Sequence, residues 1–98
     1  MKIPKKVKIG ALTFDVVRQK NLASDSMLMG QCNTNAGTIT LDTNYPHQVM
    51  CGTFLHEVFH GISDVYSINL TEQQILQLEA GFYAFYTDNP KVFEKETK

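Results

Sequence analysis

The stretch from Asn44 to Tyr66 constrains the architecture of this chain more than any other segment. Leu55, Val58, Phe59, Ile62, Val65 and Tyr66 recur at three- and four-residue intervals, the period of an amphipathic helix with one apolar stripe. Asn44 is a capping residue type and Pro46 suits a first turn, so the pattern predicts a helix running to about Tyr66. A stripe of this width needs a partner surface, and the flanking sequence offers two. On the N-terminal side, residues 7–11 and Leu12–Gln19 are short and rich in Val, Ile, Leu and Phe, with Gly10 as the bend between them. Residues 21–27 are polar and read as a loop. Residues 28–34 make a weaker strand, Asn35-Ala36-Gly37 a turn, and Thr38–Asp42 alternates as a half-buried strand does. On the C-terminal side, residues 67–70 form a connection and Thr71 caps a second helix to about Thr87. Asp88-Asn89-Pro90 stops it, and the charged tail 91–98 frays. The expected fold is α+β: a small antiparallel sheet of three or four strands followed by a two-helix hairpin, in one domain spanning the 98 residues.

Within the first helix, His56 and His60 are four residues apart, in the run His56-Glu57-Val58-Phe59-His60. That spacing stacks two imidazoles on one face. It lies roughly 100–140° from the centre of the apolar stripe by helical-wheel geometry. Two ring nitrogens so placed can reach one Zn²⁺ at about 2.0–2.1 Å. Glu57, about 100° further round the helix, points beside the ion, where a carboxylate acts on a water rather than as a ligand.

A catalytic zinc takes a third protein ligand and keeps one open position. Asp64, Glu72 and Glu79 are the available acids. If the hairpin turns symmetrically near Ile68-Asn69, Glu79 comes level with the two histidines and Glu72 falls roughly 10 Å nearer the turn. Glu79 also lies at the edge of the second apolar stripe of Ile75, Leu78, Phe82, Phe85 and Tyr86, where an uncompensated carboxylate is costly. Glu79 is therefore the first choice as third ligand and Glu72 the alternative. Asp64 suits a hydrogen bond to a ligating imidazole or plain solvent exposure.

The charges are segregated. Residues 1–20 carry Lys2, Lys5, Lys6, Lys8, Arg18 and Lys20 against Asp15 alone, whereas residues 21–90 hold seven acids and no Lys or Arg. An acidic middle without cations is a poor nucleic-acid surface. No apolar run approaches 18 residues and no signal-peptide pattern opens the chain, so neither a membrane partner nor export is expected and a cytoplasmic location follows. Cys32 and Cys51 make no CxxC pair and are expected as reduced thiols, a disulfide between them being the minor alternative.

Thr53-Phe54-Leu55-His56-Glu57-Val58-Phe59-His60, followed by Glu79-Ala80-Gly81-Phe82 and ending at Pro90, resembles the compact zincin metallopeptidases of phages and mobile elements, small relatives of the ImmA/IrrE type. The resemblance implies a gluzincin-like centre, with His56, His60 and Glu79 on Zn²⁺ and Glu57 as general base. It also implies that the strand before the helix, here Thr38–Asp42, pairs with an extended peptide or protein substrate. The expected activity is peptide-bond hydrolysis by a zinc-activated water. Tyr45, Tyr66, Tyr83 and Tyr86 are the candidates for stabilising the oxyanion. The competing expectation is a non-catalytic interaction module in which zinc serves as a structural staple for a small domain. A three-ligand set with one position open favours the enzyme.

Overall fold

The computed structural model describes residues 1–22 and 29–95 of the chain. Its fold is α+β, a four-stranded sheet followed by two helices. Strands β1 (Lys6–Ile9), β2 (Leu12–Gln19), β3 (Gly30–Asn33) and β4 (Thr38–Asp42) precede helices α1 (His47–Val65) and α2 (Glu72–Asp88), and a 3₁₀ turn spans Pro90–Phe93. Leu12–Gln19 and Thr38–Asp42 form as expected, while the first strand is shorter than 7–11 and shifted to begin at Lys6. The expected strand over 28–34 contracts to Gly30–Asn33; residue 28 and residues 23–27 of the expected loop lie outside the described residues, as do 96–98 of the tail.

The sheet is mixed rather than antiparallel. Its order is β1-β2-β4-β3, with β1·β2 and β3·β4 antiparallel and β2·β4 parallel in the register Val16↔Ile39 and Arg18↔Leu41. The reason is placement by burial. After β2 the chain rejoins the sheet two places away as β3. A turn then brings β4 into the gap, its Gly37 N–H donating to the Asn33 carbonyl at 2.9 Å and its Ala36 N–H to Asn33 Oδ1 at 3.0 Å. Thr38–Asp42 carries Ile39 and Leu41, both fully buried, and takes the interior position where both backbone edges are paired. Gly30–Asn33, polar and short, takes the rim, as befits an edge strand.

Helix α1 lies across the sheet. Phe14 and Val16 of β2 and Ile39 and Leu41 of β4 alternate onto one face and meet Met50, Cys51 and Phe54 of α1, with Ile3 and Ile9 closing the cluster. The buried side of α1 therefore starts nearer its N-terminus than the stripe centred on Leu55 and Ile62 suggests. Phe59 leaves that stripe to pack edge-on against Phe82 of α2, ring centroids 5.9 Å apart. Sheet on one flank and α2 on the other leave a narrow sector of α1 for the histidines. Among the described residues no helix is long and apolar enough to cross a membrane.

Candidate metal centre

Helical spacing brings the two imidazoles together as the sequence requires: the His56 and His60 rings have centroids 5.0 Å apart. Glu57, one step round the helix, turns inward and is only 7% exposed. It sits under β3, where a Cβ on Gly30 would stand 2.6 Å from Thr53 Cγ2 and 3.3 Å from Glu57 Cγ. Only a glycine lets the edge strand come this close to the carboxylate. Burial pushes the Glu57 carboxyl above its usual range; His56 and His60 oppose the rise, and Glu72 and Glu79 add to it.

The end of α1 determines which acid joins the histidines. The Ile68 N–H donates to the Ser63 carbonyl at 2.9 Å and the Ser67 N–H to that of Asp64 at 3.3 Å, with Ser67 in the left-handed region at φ 54°. This is a Schellman turn, and it reverses the chain at once. The chain then passes Asn69, also left-handed at φ 62°, and the Leu70 N–H donates to Ser63 Oγ at 2.8 Å. Thr71 then starts α2 through a capping box: its Oγ1 accepts from the Gln74 N–H at 3.1 Å and its own N–H donates to Gln74 Oε1 at 2.9 Å. Glu72 is the first residue of that helix, and it arrives level with His60.

Both histidines present Nε2 to the Glu72 carboxylate, His56 to Oε1 at 2.6 Å and His60 to Oε2 at 3.0 Å. Among the described residues, His56, His60 and Glu72 form a group whose donor atoms all lie within 4.8 Å of one another. Donors on a tetrahedral zinc stand ~3.3 Å apart, from ligand bonds of about 2.0–2.1 Å. Two imidazole nitrogens and a carboxylate oxygen gathered within 4.8 Å of one another could hold such an ion with small side-chain adjustments.

Glu79 stands elsewhere than expected. Its Oε1 is 2.9 Å from Nδ1 of His56, the nitrogen facing away from Glu72, while its Oε2 lies 3.0 Å from where a Gly52 Cβ would be. It faces Nδ1 of His56, while Glu72 is the carboxylate that meets the Nε2 atoms of both histidines. The difference comes from the linker. A symmetric turn would keep both helices in step, but here Ser67 and Asn69 are both left-handed and the Leu70 N–H is tied back to Ser63 Oγ. Glu72 thereby reaches both histidines instead of falling nearer the turn. The signal for Glu72 is present in the sequence as Thr71-Glu72-Gln73-Gln74, which fixes Glu72 at the start of the helix.

The remaining candidates separate clearly. Asp64 accepts a hydrogen bond from Thr34 Oγ1 at 2.8 Å and does not support an imidazole. Tyr83 borders the cleft beside His56, Tyr45 packs on the core, Tyr86 stacks on Phe93, and the Tyr66 hydroxyl lies near Gly10. Tyr83 alone of the four thus borders this cleft, and burial followed by the neighbouring Cys51 raises its phenol. Both cysteines are free thiols. Burial, with Glu57 adding, pushes Cys32 to about 11, which keeps it protonated near neutrality. Comparison with protein-family models, with curated proteins and with solved structures finds no match for this chain.

Proposed function

We propose that this chain is a zinc-dependent peptidase whose metal ligands are His56, His60 and Glu72, with Glu57 as general base and Glu79 holding the His56 ring. The observation that carries the reading is the convergence of two imidazole Nε2 atoms on one carboxylate, with a second, buried carboxylate one residue from His56. Three protein ligands leave one tetrahedral position open, as hydrolytic zinc sites require and closed structural sites do not.

A bound Zn²⁺ supplies Lewis acidity toward the scissile carbonyl and brings the pKa of water near neutrality. The chain's own residues do the rest. Glu57 accepts a proton from the attacking water at its carboxylate and returns it to the departing amine. Its burial, which raises its basicity, suits that exchange. Glu79 fixes the His56 ring by accepting the Nδ1 proton, so that Nε2 keeps its lone pair for the metal. The substrate strand cannot pair with Thr38–Asp42, because β2 and β4 are paired, and so are β4 and β3. Among the described residues the outer edge of Gly30–Asn33 has no strand partner and ends the sheet beside Glu57, which makes it the edge nearest the site for an extended peptide.

The interaction-module reading finds one observation in its favour, an apolar groove on the outer side of the hairpin lined by Phe59, Leu78, Phe82 and Phe85. One substitution separates the two. Glu57→Gln in the zinc-loaded protein retains stoichiometric metal and loses about 10²–10⁴-fold in hydrolysis of a peptide library. Cleavage at the wild-type rate would remove Glu57 from the chemistry, and zinc-loaded wild type that cleaves nothing would favour the module.

A further inference from the structure

A cleft of about 550 Å³ opens directly beside His56, Glu57 and Glu72. Three large apolar side chains reach it from three separate parts of the chain: Met29 before β3, Val49 on α1 and Leu76 on α2. All three are exposed, at 41%, 37% and 53%. A single exposed apolar residue means little, but three around one concavity at a reactive centre are the usual lining of a ligand pocket. Between Val49 and Leu76 the surface dips because residue 52 is glycine. A Cβ there would stand 3.0 Å from Glu79 Oε2 and 3.8 Å from Tyr83 Cδ2, so a side chain would crowd both.

The polar groups along this cleft are largely committed. Glu72 is held by both histidines and Glu79 by His56, and Glu57 is buried. No Lys or Arg lines the cleft, nor does any occur between residues 21 and 90. An acidic side chain would meet Glu57 and Glu79 with no Lys or Arg to offset them, and a basic one would draw Glu79 away from His56. An apolar side chain meets neither obstacle and gains contact with Met29, Val49 and Leu76.

We infer that this cleft receives an aliphatic side chain of leucine, isoleucine or methionine size from the substrate residue next to the scissile bond, with Val49 and Leu76 as specificity-determining residues. The inference rests on the peptidase reading and names the substrate class of that same site.

Zinc-loaded full-length protein is titrated calorimetrically with acetohydroxamate and with the α-hydroxamates of N-acetyl-alanine, N-acetyl-leucine and N-acetyl-aspartate. The chelating group is common to all, so differences among them read the cleft. The leucine compound binds at least about tenfold tighter than the alanine compound, as a few buried methylenes allow, and tighter still than the aspartate compound. Leu76→Ala and Val49→Ala, both at exposed positions, each lower the ratio of leucine-compound to alanine-compound affinity severalfold within the same variant, with acetohydroxamate titrated alongside to normalise for the metal. Equal binding of the leucine and aspartate compounds, or an intact preference in both variants, overturns the pocket and leaves the metal centre standing. Failure to take up zinc, or to bind any hydroxamate, overturns the peptidase reading and the pocket with it.

Discussion

Glu72 and Glu79 are two turns apart on one helix, yet each faces a different nitrogen of His56: Glu72 stands at Nε2 and Glu79 at Nδ1. Their substitution should therefore have unequal consequences. Replacing a residue that orients a ligating imidazole costs about 10–100-fold in metal affinity, and Glu79→Ala is expected in that range. Glu72→Ala removes a ligand and should exceed ~100-fold. Competition against a chromophoric chelator measures both, and a larger loss for Glu79→Ala would exchange their roles. His56 and His60 are legible in the sequence because helical spacing alone stacks them, and Glu57 because it follows one step round the same helix. Glu72 was legible only as an alternative, because its height depends on how residues 66–71 travel. Ser67 and Asn69, with φ of 54° and 62°, are non-glycine residues in a left-handed conformation that composition does not announce.

Two of the elements were readable to the residue and the pairing between them was not. Leu12–Gln19 and Thr38–Asp42 alternate with period two, which identifies a strand and its buried face but not its neighbour. Their parallel pairing follows from β3 taking the rim, a competition among strands rather than a property of either. The capping box at Thr71 is different, since it is local in sequence and has a consequence at the site. Thr71→Ala removes the side-chain acceptor for the Gln74 N–H, at about 1 kcal/mol, or roughly 4–8 °C in Tm for a chain this short. The frayed turn carries Glu72, so zinc affinity should fall too. Ile9→Val, a core change in β1 costing about 0.5–1.5 kcal/mol, serves as the control. Thermal denaturation and zinc titration of the two together should show similar losses of stability, with zinc binding weakened only by Thr71→Ala. Parallel losses of affinity in both would mean that the cap acts through global stability alone.

At the scale of the whole molecule, six of the nine Lys and Arg fall in residues 1–20 and the other three in residues 91–98, while Glu57, Asp64, Glu72, Glu79 and Asp88 lie on the helices, so the segment that gathers Glu57, Glu72 and Glu79 around two histidines has no Lys or Arg of its own. The centre keeps those carboxylates close: burial raises the Glu57 carboxyl above its usual range, and Glu72 and Glu79 add to the rise. On the zinc reading, a divalent ion would offset these charges and tie α2 to α1, which in a chain of 98 residues with a modest core would be a sizeable addition. Saturation at a thousand times the dissociation constant contributes about 4.1 kcal/mol, well above the cap's contribution and large enough to read directly. Zinc should thus raise the Tm of the wild-type chain by well over 10 °C, and a chelator should reverse the shift. His60→Ala, which removes a ligand from a half-buried position, should fold but respond weakly or not at all to zinc. An identical response in that variant would place the bound ion elsewhere, and a wild-type Tm indifferent to zinc would mean that the two imidazoles and Glu72 hold one another rather than a metal.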